Sequence, residues 1–169
     1  MKKIMMMIAL LAVPFAMQAQ TKFHDVEANE AKGNVKSISM DMMGMNQTIN
    51  FSEDGKMSSA EITNAVYDEN GYILSANISI QGMSAPVKYE WENGRVKSRT
   101  VTVNGNVIKT IRNYDENGVV TSEGMDMGGN VMEIPYSDYK YDDKGNWISR
   151  KTSMMGQEMT TSRTITYYE

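Results

Sequence analysis

One five-residue pattern returns six times along this chain of 169 residues: glycine, any residue, an apolar residue, any residue, serine. It reads GNVKS at Gly33, GKMSS at Gly55, GYILS at Gly71, GRVKS at Gly94, GVVTS at Gly118 and GNWIS at Gly145. Copies 16 to 27 residues apart mark a repeat architecture, in which one small supersecondary unit is reused. An aromatic stands four residues before the glycine at Phe51, Tyr67, Tyr114 and Tyr141, and three before it at Trp91. The letters between are mostly acidic or amide: SED, DEN, EN, DEN and DDK.

After each serine, apolar and polar residues alternate. Ile38, Met40 and Met42 do so, as do Ala76, Ile78 and Ile80, Val101 and Val103, and Met125 and Met127. Period two means β-strand. A second glycine then reverses the chain at Gly44, Gly82, Gly105, Gly128 and Gly156, and Asn104–Gly105 is a strong tight-hairpin signal. The apolar position before each serine and those after it differ in parity, so a bulge or strand break is expected near the serines. The chain is therefore expected to be all-β, an antiparallel up-and-down meander of repeated β-hairpins, ten to twelve strands in a curled or folded-over sheet. Residues 33–169 form a single β-repeat domain on this reading. Residues 20–32 are a lead-in segment with a short helical turn or irregular backbone, and the Gly55-to-Gly71 unit, lacking a middle glycine, is the weakest copy.

The start of the chain is different. Lys2 and Lys3, the apolar run Ile4 to Phe15 and the small or polar exit Ala16 to Gln20 have the layout of a secretory signal peptide over residues 1–19. The run is shorter than the roughly 20 residues a membrane span needs. The expected product is exported, periplasmic or extracellular, with no transmembrane span once the leader is cleaved. The chain has no cysteine, so packing and backbone ladders hold the fold without disulfides. Its net charge of −4 drops to −6 without the leader's two lysines, a poor match to nucleic acid or an anionic membrane surface.

YKYDDKGNWIS (Tyr139–Ser149) resembles the YD repeat of the Rhs family. YDENGYILS and YDENGVVTS are similar to it, and FSEDGKMSS and YEWENGRVKS follow it more loosely. The resemblance covers most of residues 33–150 and implies a β-sheet repeat fold. In large Rhs-type proteins such repeats build a shell around a cargo; about six units are too few for a closed shell. The chain is also similar to small exported proteins of the Bacteroides group. Neither likeness implies catalytic residues.

Each chemistry-bearing feature has a bland and a sharp reading. The acidic turns suit type I turns with glycine in the left-handed position, against calcium held between neighbouring turns. Met40, Met42, Met43 and Met45 are core filler or an adaptable contact surface, against a soft site for copper. Trp91, Tyr139, Tyr141 and Trp147 are cross-strand packing, against a stacking ladder for a glycan or a protein partner. His24, the single histidine, reads as an exposed or capping residue, and Arg95, Lys97 and Arg99 as a solvated strand face. Every glycine is read at a turn, which excludes a phosphate loop. The favoured function is a non-catalytic exported binding or structural module that needs no cofactor. Metal binding (copper or calcium) and carboxylate-dependent hydrolysis are the alternatives. N-terminal sequencing of the chain recovered outside the exporting cytoplasm should begin at Gln20 or Thr21; recovery of an intact Met1 end there would refute the leader.

Overall fold

A computed structural model describes residues 22–42, 45–58, 62–80, 83–154 and 156–169. The expected leader, Met43, Gly44, Ser59 and Gly82 lie outside the described residues. Among the described residues one short helix, α1 (Asp25–Ala28), precedes eleven strands. These are β1 (Val35–Met42), β2 (Met45–Asn50), β3 (Ile62–Tyr67), β4 (Ile73–Ile80), β5 (Met83–Glu92), β6 (Arg95–Val103), β7 (Asn106–Tyr114), β8 (Val120–Asp126), β9 (Val131–Tyr141), β10 (Trp147–Met154) and β11 (Gln157–Tyr167). They form one antiparallel sheet in the order β2-β1-β11-β10-β9-β8-β7-β6-β5-β4-β3. From β3 to β11 this is the expected up-and-down meander. The first hairpin then joins its far side, with Ile38 of β1 opposite Ile165 of β11.

That order leaves two open edges, β2 and β3, which are consecutive in sequence and joined by residues 51–61. The sheet curls so that distant strands share one core. Val35 and Ile38 of β1 cluster with Ile73 and Ala76 of β4, Ala85 and Val87 of β5, Val101 of β6 and Val26 of α1. The sheet stops short of closing into a barrel. Phe51 and Met57, bridged to each other in the connection between the edges, complete the cluster. Phe51, Ile38 and Ile73 are fully buried, and each contributes about 1.5–3 kcal/mol of apolar transfer free energy.

The expected bulges are present. The register shifts between Val35 and Ser37, between Trp147 and Ser149, and opposite Ile73–Ser75, Val96–Ser98 and Val120–Ser122. A bulge interrupts the ladder at one carbonyl, and the repeat supplies a donor for it from the next returning strand. Trp91 Nε1 donates to Ile73 O (2.7 Å), Tyr114 OH to Val96 O (2.7 Å), Tyr139 OH to Val120 O (2.6 Å) and Arg163 Nε to Trp147 O (2.7 Å). At three bulges an aromatic of the next strand, and at a fourth an arginine, thus meets the carbonyl of the apolar repeat residue.

The turns agree with the sequence in detail. At Asp68, Asp115 and Asp142 the carboxylate oxygen Oδ1 accepts two backbone N–H groups of its own turn, at 2.8 and 3.0 Å in every case. The unit at Gly94 is one residue short because Asn93 and Gly94 both have positive φ (52° and 73°), which makes a two-residue hairpin like Asn104–Gly105. One expectation fails: Gly124 lies inside β8, paired with Ile111, rather than at a turn. A Cβ there would stand 3.2 Å from Glu133 Oε2, so the neighbouring carboxylate occupies the space a side chain would need.

Gly71 has φ +86°, and a Cβ on it would lie 2.0 Å from the carbonyl oxygen of Lys22; Gly105 has φ +79° with nothing within 4 Å. Gly105→Ala should therefore lose about 1–2 kcal/mol, the left-handed backbone penalty alone. Gly71→Ala should lose clearly more, because residues 22–24 must shift. Urea denaturation of both variants measures the difference, and equal losses would show that the close approach is not a constraint.

Candidate functional site

Residues 22–32 enter the curl at the rim formed by the repeat turns. The backbone N–H groups of Phe23 and His24 donate to Asp54 O (2.9 Å) and Gly71 O (3.1 Å). The segment is thus an internal plug as well as a lead-in. A helix as short as α1, four residues, does not persist alone in water; side chains of the sheet hold it. Asp25, fully buried, accepts the Met57 N–H (2.8 Å) and the Tyr67 hydroxyl (2.7 Å). Burial pushes its carboxyl up in spite of these donors.

At the other end of α1, arginines take the carbonyls that a helix leaves without partners. Arg112 Nη1 donates to Ala28 O (3.0 Å), Arg163 Nη1 to Asn29 O (2.8 Å) and Arg163 Nη2 to Glu30 O (2.6 Å). Glu30, at φ 54°, aims its carboxylate at Arg150 Nη1 (2.7 Å) and Arg112 Nη2 (3.5 Å). Glu123 takes the Nε of Arg112 (2.9 Å) and the hydroxyl of Tyr136 (3.1 Å). Aromatic faces complete the cluster. The Arg150 guanidinium lies 3.7 Å from the Tyr136 ring centre and 4.3 Å from that of Trp147, and Arg163 lies 3.7 Å from Trp147.

Three buried guanidiniums therefore surround one carboxylate of the plug. Burial alone would raise the Glu30 pKa, but Arg112 and Arg150 overcome it and hold the carboxyl below its usual range. Arg163, bound to carbonyls, is pushed down by burial to about 10 and stays charged at neutral pH.

Above this cluster, between the plug and the ends of β6 to β10, opens a cavity of about 350 Å³. Its walls include Tyr114, Tyr139, Tyr141 and Trp147, with Asn117 and Asn146 from the turns and Glu27 and Lys32 from the plug. Of the expected ligand-contact residues, Tyr139, Tyr141 and Trp147 come together here. The Tyr139 and Tyr141 rings stack at 5.8 Å, and Trp147 meets Tyr139 edge-on at 6.4 Å. Trp91 does not join them, because on β5 it packs under the Tyr72 ring at 4.8 Å. Their exposures separate the roles: Trp147 is 6 % exposed and Tyr141 47 %. The first belongs to the wall of the core and the second to the open face.

Other expected features fall elsewhere. Met40 packs against the core from β1, and Met42 and Met45 pair at the β1–β2 tip; Met43 is outside the described residues. Among the described residues no group of three or more His, Asp or Glu side chains is placed to hold a metal ion. His24 is half-buried and stacks on Tyr72 at 4.0 Å, without capping α1 through its side chain. Lys97 pairs with Glu92 on the solvated face as expected, whereas Arg95 folds over the Tyr114 ring, 5.7 Å from its centre, at the cavity. The three interior arginines are the feature that sequence reasoning missed. Their signal was parity, since Arg112 stands two residues before the inward Tyr114 on one strand. Among the described residues no helix is long and apolar enough to cross a membrane.

Comparison with protein-family models, with curated proteins and with solved structures finds no match to this chain.

Glu30 ionises more readily in the folded chain than in the unfolded one. Its contribution is therefore complete above the ordinary glutamate range and is lost as pH falls through the lowered folded value. Glu30→Gln should destabilise the chain by about 3–5 kcal/mol at neutral pH, by leaving buried arginines without their anion. It should also flatten the acid limb of the stability profile between pH 7 and 3. Urea midpoints across that range check both, and an unchanged acid limb would mean that other carboxylates govern it.

Proposed function

We propose that this chain is a non-catalytic exported binding module that holds a saccharide in the cavity between the plug and the turn rim. The observation that carries the reading is the convergence of Tyr139, Tyr141 and Trp147, from two strands, on one concave surface edged by amides. Sugar rings offer apolar C–H faces that pack on aromatic faces, and hydroxyls that need polar partners. A concave site with a few aromatic rings and convergent polar groups serves both needs. Rigidity supports the same reading. Tyr139 is fixed through its hydroxyl by Val120 O and Arg150 Nη1, and Trp147 lies in the core wall, so the platform is organised before any ligand arrives.

Leader, export and binding form one consistent account: a small module delivered beyond the cytoplasm, built without cysteine, with a concave aromatic face. Titration of the purified chain against an oligosaccharide panel, followed by tryptophan fluorescence and calorimetry, tests it. Binding should be detected, and Tyr141→Ala should weaken it by about tenfold while leaving the melting temperature nearly unchanged, because Tyr141 is an exposed side chain. Absence of binding across the panel, or full binding by Tyr141→Ala, would sink the proposal.

A further inference from the structure

The charges around the cavity say more about what enters it. The other basic side chains near the interior have partners: Arg112 and Arg150 meet carboxylates, and Arg163 is bound to three carbonyls. Lys32 and Arg95 differ. Both line the cavity and both are exposed, and neither has a carboxylate within ion-pair distance among the described residues. They are nevertheless positioned. The Lys32 backbone is clamped from both sides by Asn146, whose Oδ1 accepts its N–H (2.8 Å) and whose Nδ2 donates to its carbonyl (3.0 Å). Its ammonium lies over Gly145, 3.0 Å from where a Cβ would stand. The Arg95 guanidinium lies over Gly118, 2.2 Å from the corresponding point. Glycine at those two turn positions, already needed for their positive φ, leaves the space these cations occupy.

A third donor belongs to the same wall. The indole Nε1–H of Trp147 is buried and has no hydrogen-bond partner among the described residues. An unpaired buried N–H is unfavourable, and an acceptor that reached it would relieve that cost. Acidic groups face the cavity as well. Glu30 is engaged by Arg112 and Arg150, and Glu27 lies 3.7 Å from His24 Nδ1. Glu30 thus has basic partners of its own, Glu27 Oε2 is buried without a hydrogen-bond partner, and neither cation has an acidic partner among the described residues.

Resting on the saccharide reading above, we infer that the ligand is an acidic sugar, its anionic group held by Lys32 and Arg95 while its ring lies on the tyrosines. The group is a carboxylate or a sulfate, both of which take charge-assisted hydrogen bonds from ammonium and guanidinium donors.

The test uses the purified chain and size-matched oligosaccharides of four kinds: neutral, uronate-containing, sulfated and amino-substituted. At low salt one or both acidic kinds should bind about tenfold or more tighter than the neutral one, and the preference should shrink as salt rises. Which acidic arm binds tighter distinguishes carboxylate from sulfate. In Lys32→Gln/Arg95→Gln the preference should vanish while the neutral sugar keeps its affinity. The melting temperature should hold, because both side chains are exposed. Equal binding of neutral and acidic sugars, preference for the amino sugar, or a preference that survives the double substitution would overturn the inference and leave the saccharide reading standing. Failure of all four kinds to bind would overturn both.

Discussion

A carboxylate buried among three arginines is what the interior of this protein depends on. The inner face of the curled sheet carries charged residues beside its apolar cluster. Arg112, Arg150 and Arg163 stand on that inner face, and each would be unfavourable there without a counter-charge or acceptors. Glu30 and the last carbonyls of α1 meet the requirement. The plug is therefore more than a segment resting in a vacant space. Its backbone acceptors make the charged interior tolerable, and the arginines in turn give a four-residue helix a reason to persist.

This mutual dependence explains the asymmetry of the two ends of the sheet. At the repeat-turn rim, Asp68, Asp115 and Asp142 fold back on their own backbone, four bulges receive a donor from the next strand, and the plug is bonded to Asp54 and Gly71. Rigid geometry accumulates there because the repeat writes the same turn several times, so successive turns stand side by side as a fixed wall. The cavity lies between plug and wall, with the Lys32–Asn146 hydrogen bonds at its edge. Its shape is set by elements that serve the fold, while the side chains of Tyr141, Lys32 and Arg95 remain exposed at its surface.

The aromatic residues near the repeat turns divide into different roles. Tyr114, Tyr139 and Trp91 spend their polar atoms on bulge carbonyls. Where Arg163 performs that service for Trp147 O, the indole keeps its own N–H unused. Tyr141, two residues beyond Tyr139, reaches the rim and is half exposed. Departures from the repeat, rather than the repeat itself, thus supply the groups that could recognise a ligand.

The sequence alone determined the strands, the turns and the bulges, because these are local. Period-two alternation, glycine in the left-handed region and the parity break at each serine follow from backbone geometry within a few residues. YDENG was legible for that reason as turn punctuation, and its Asp68 and Asp115 carboxylates do bond to their own turns. Parity hinted at the inward arginines, but it could not say what they would meet. Their partner, Glu30, comes from a segment 82 to 133 residues away with no repeat signature. Nor could periodicity tell Trp91 from Trp147, since both occupy apolar or aromatic repeat positions and only the sheet's curl places one under Tyr72 and the other beside Tyr139 and Tyr141. Tertiary structure decided the plug, the buried charge cluster and the cavity, because long-range charge balance and curvature depend on which distant strands come to face one another.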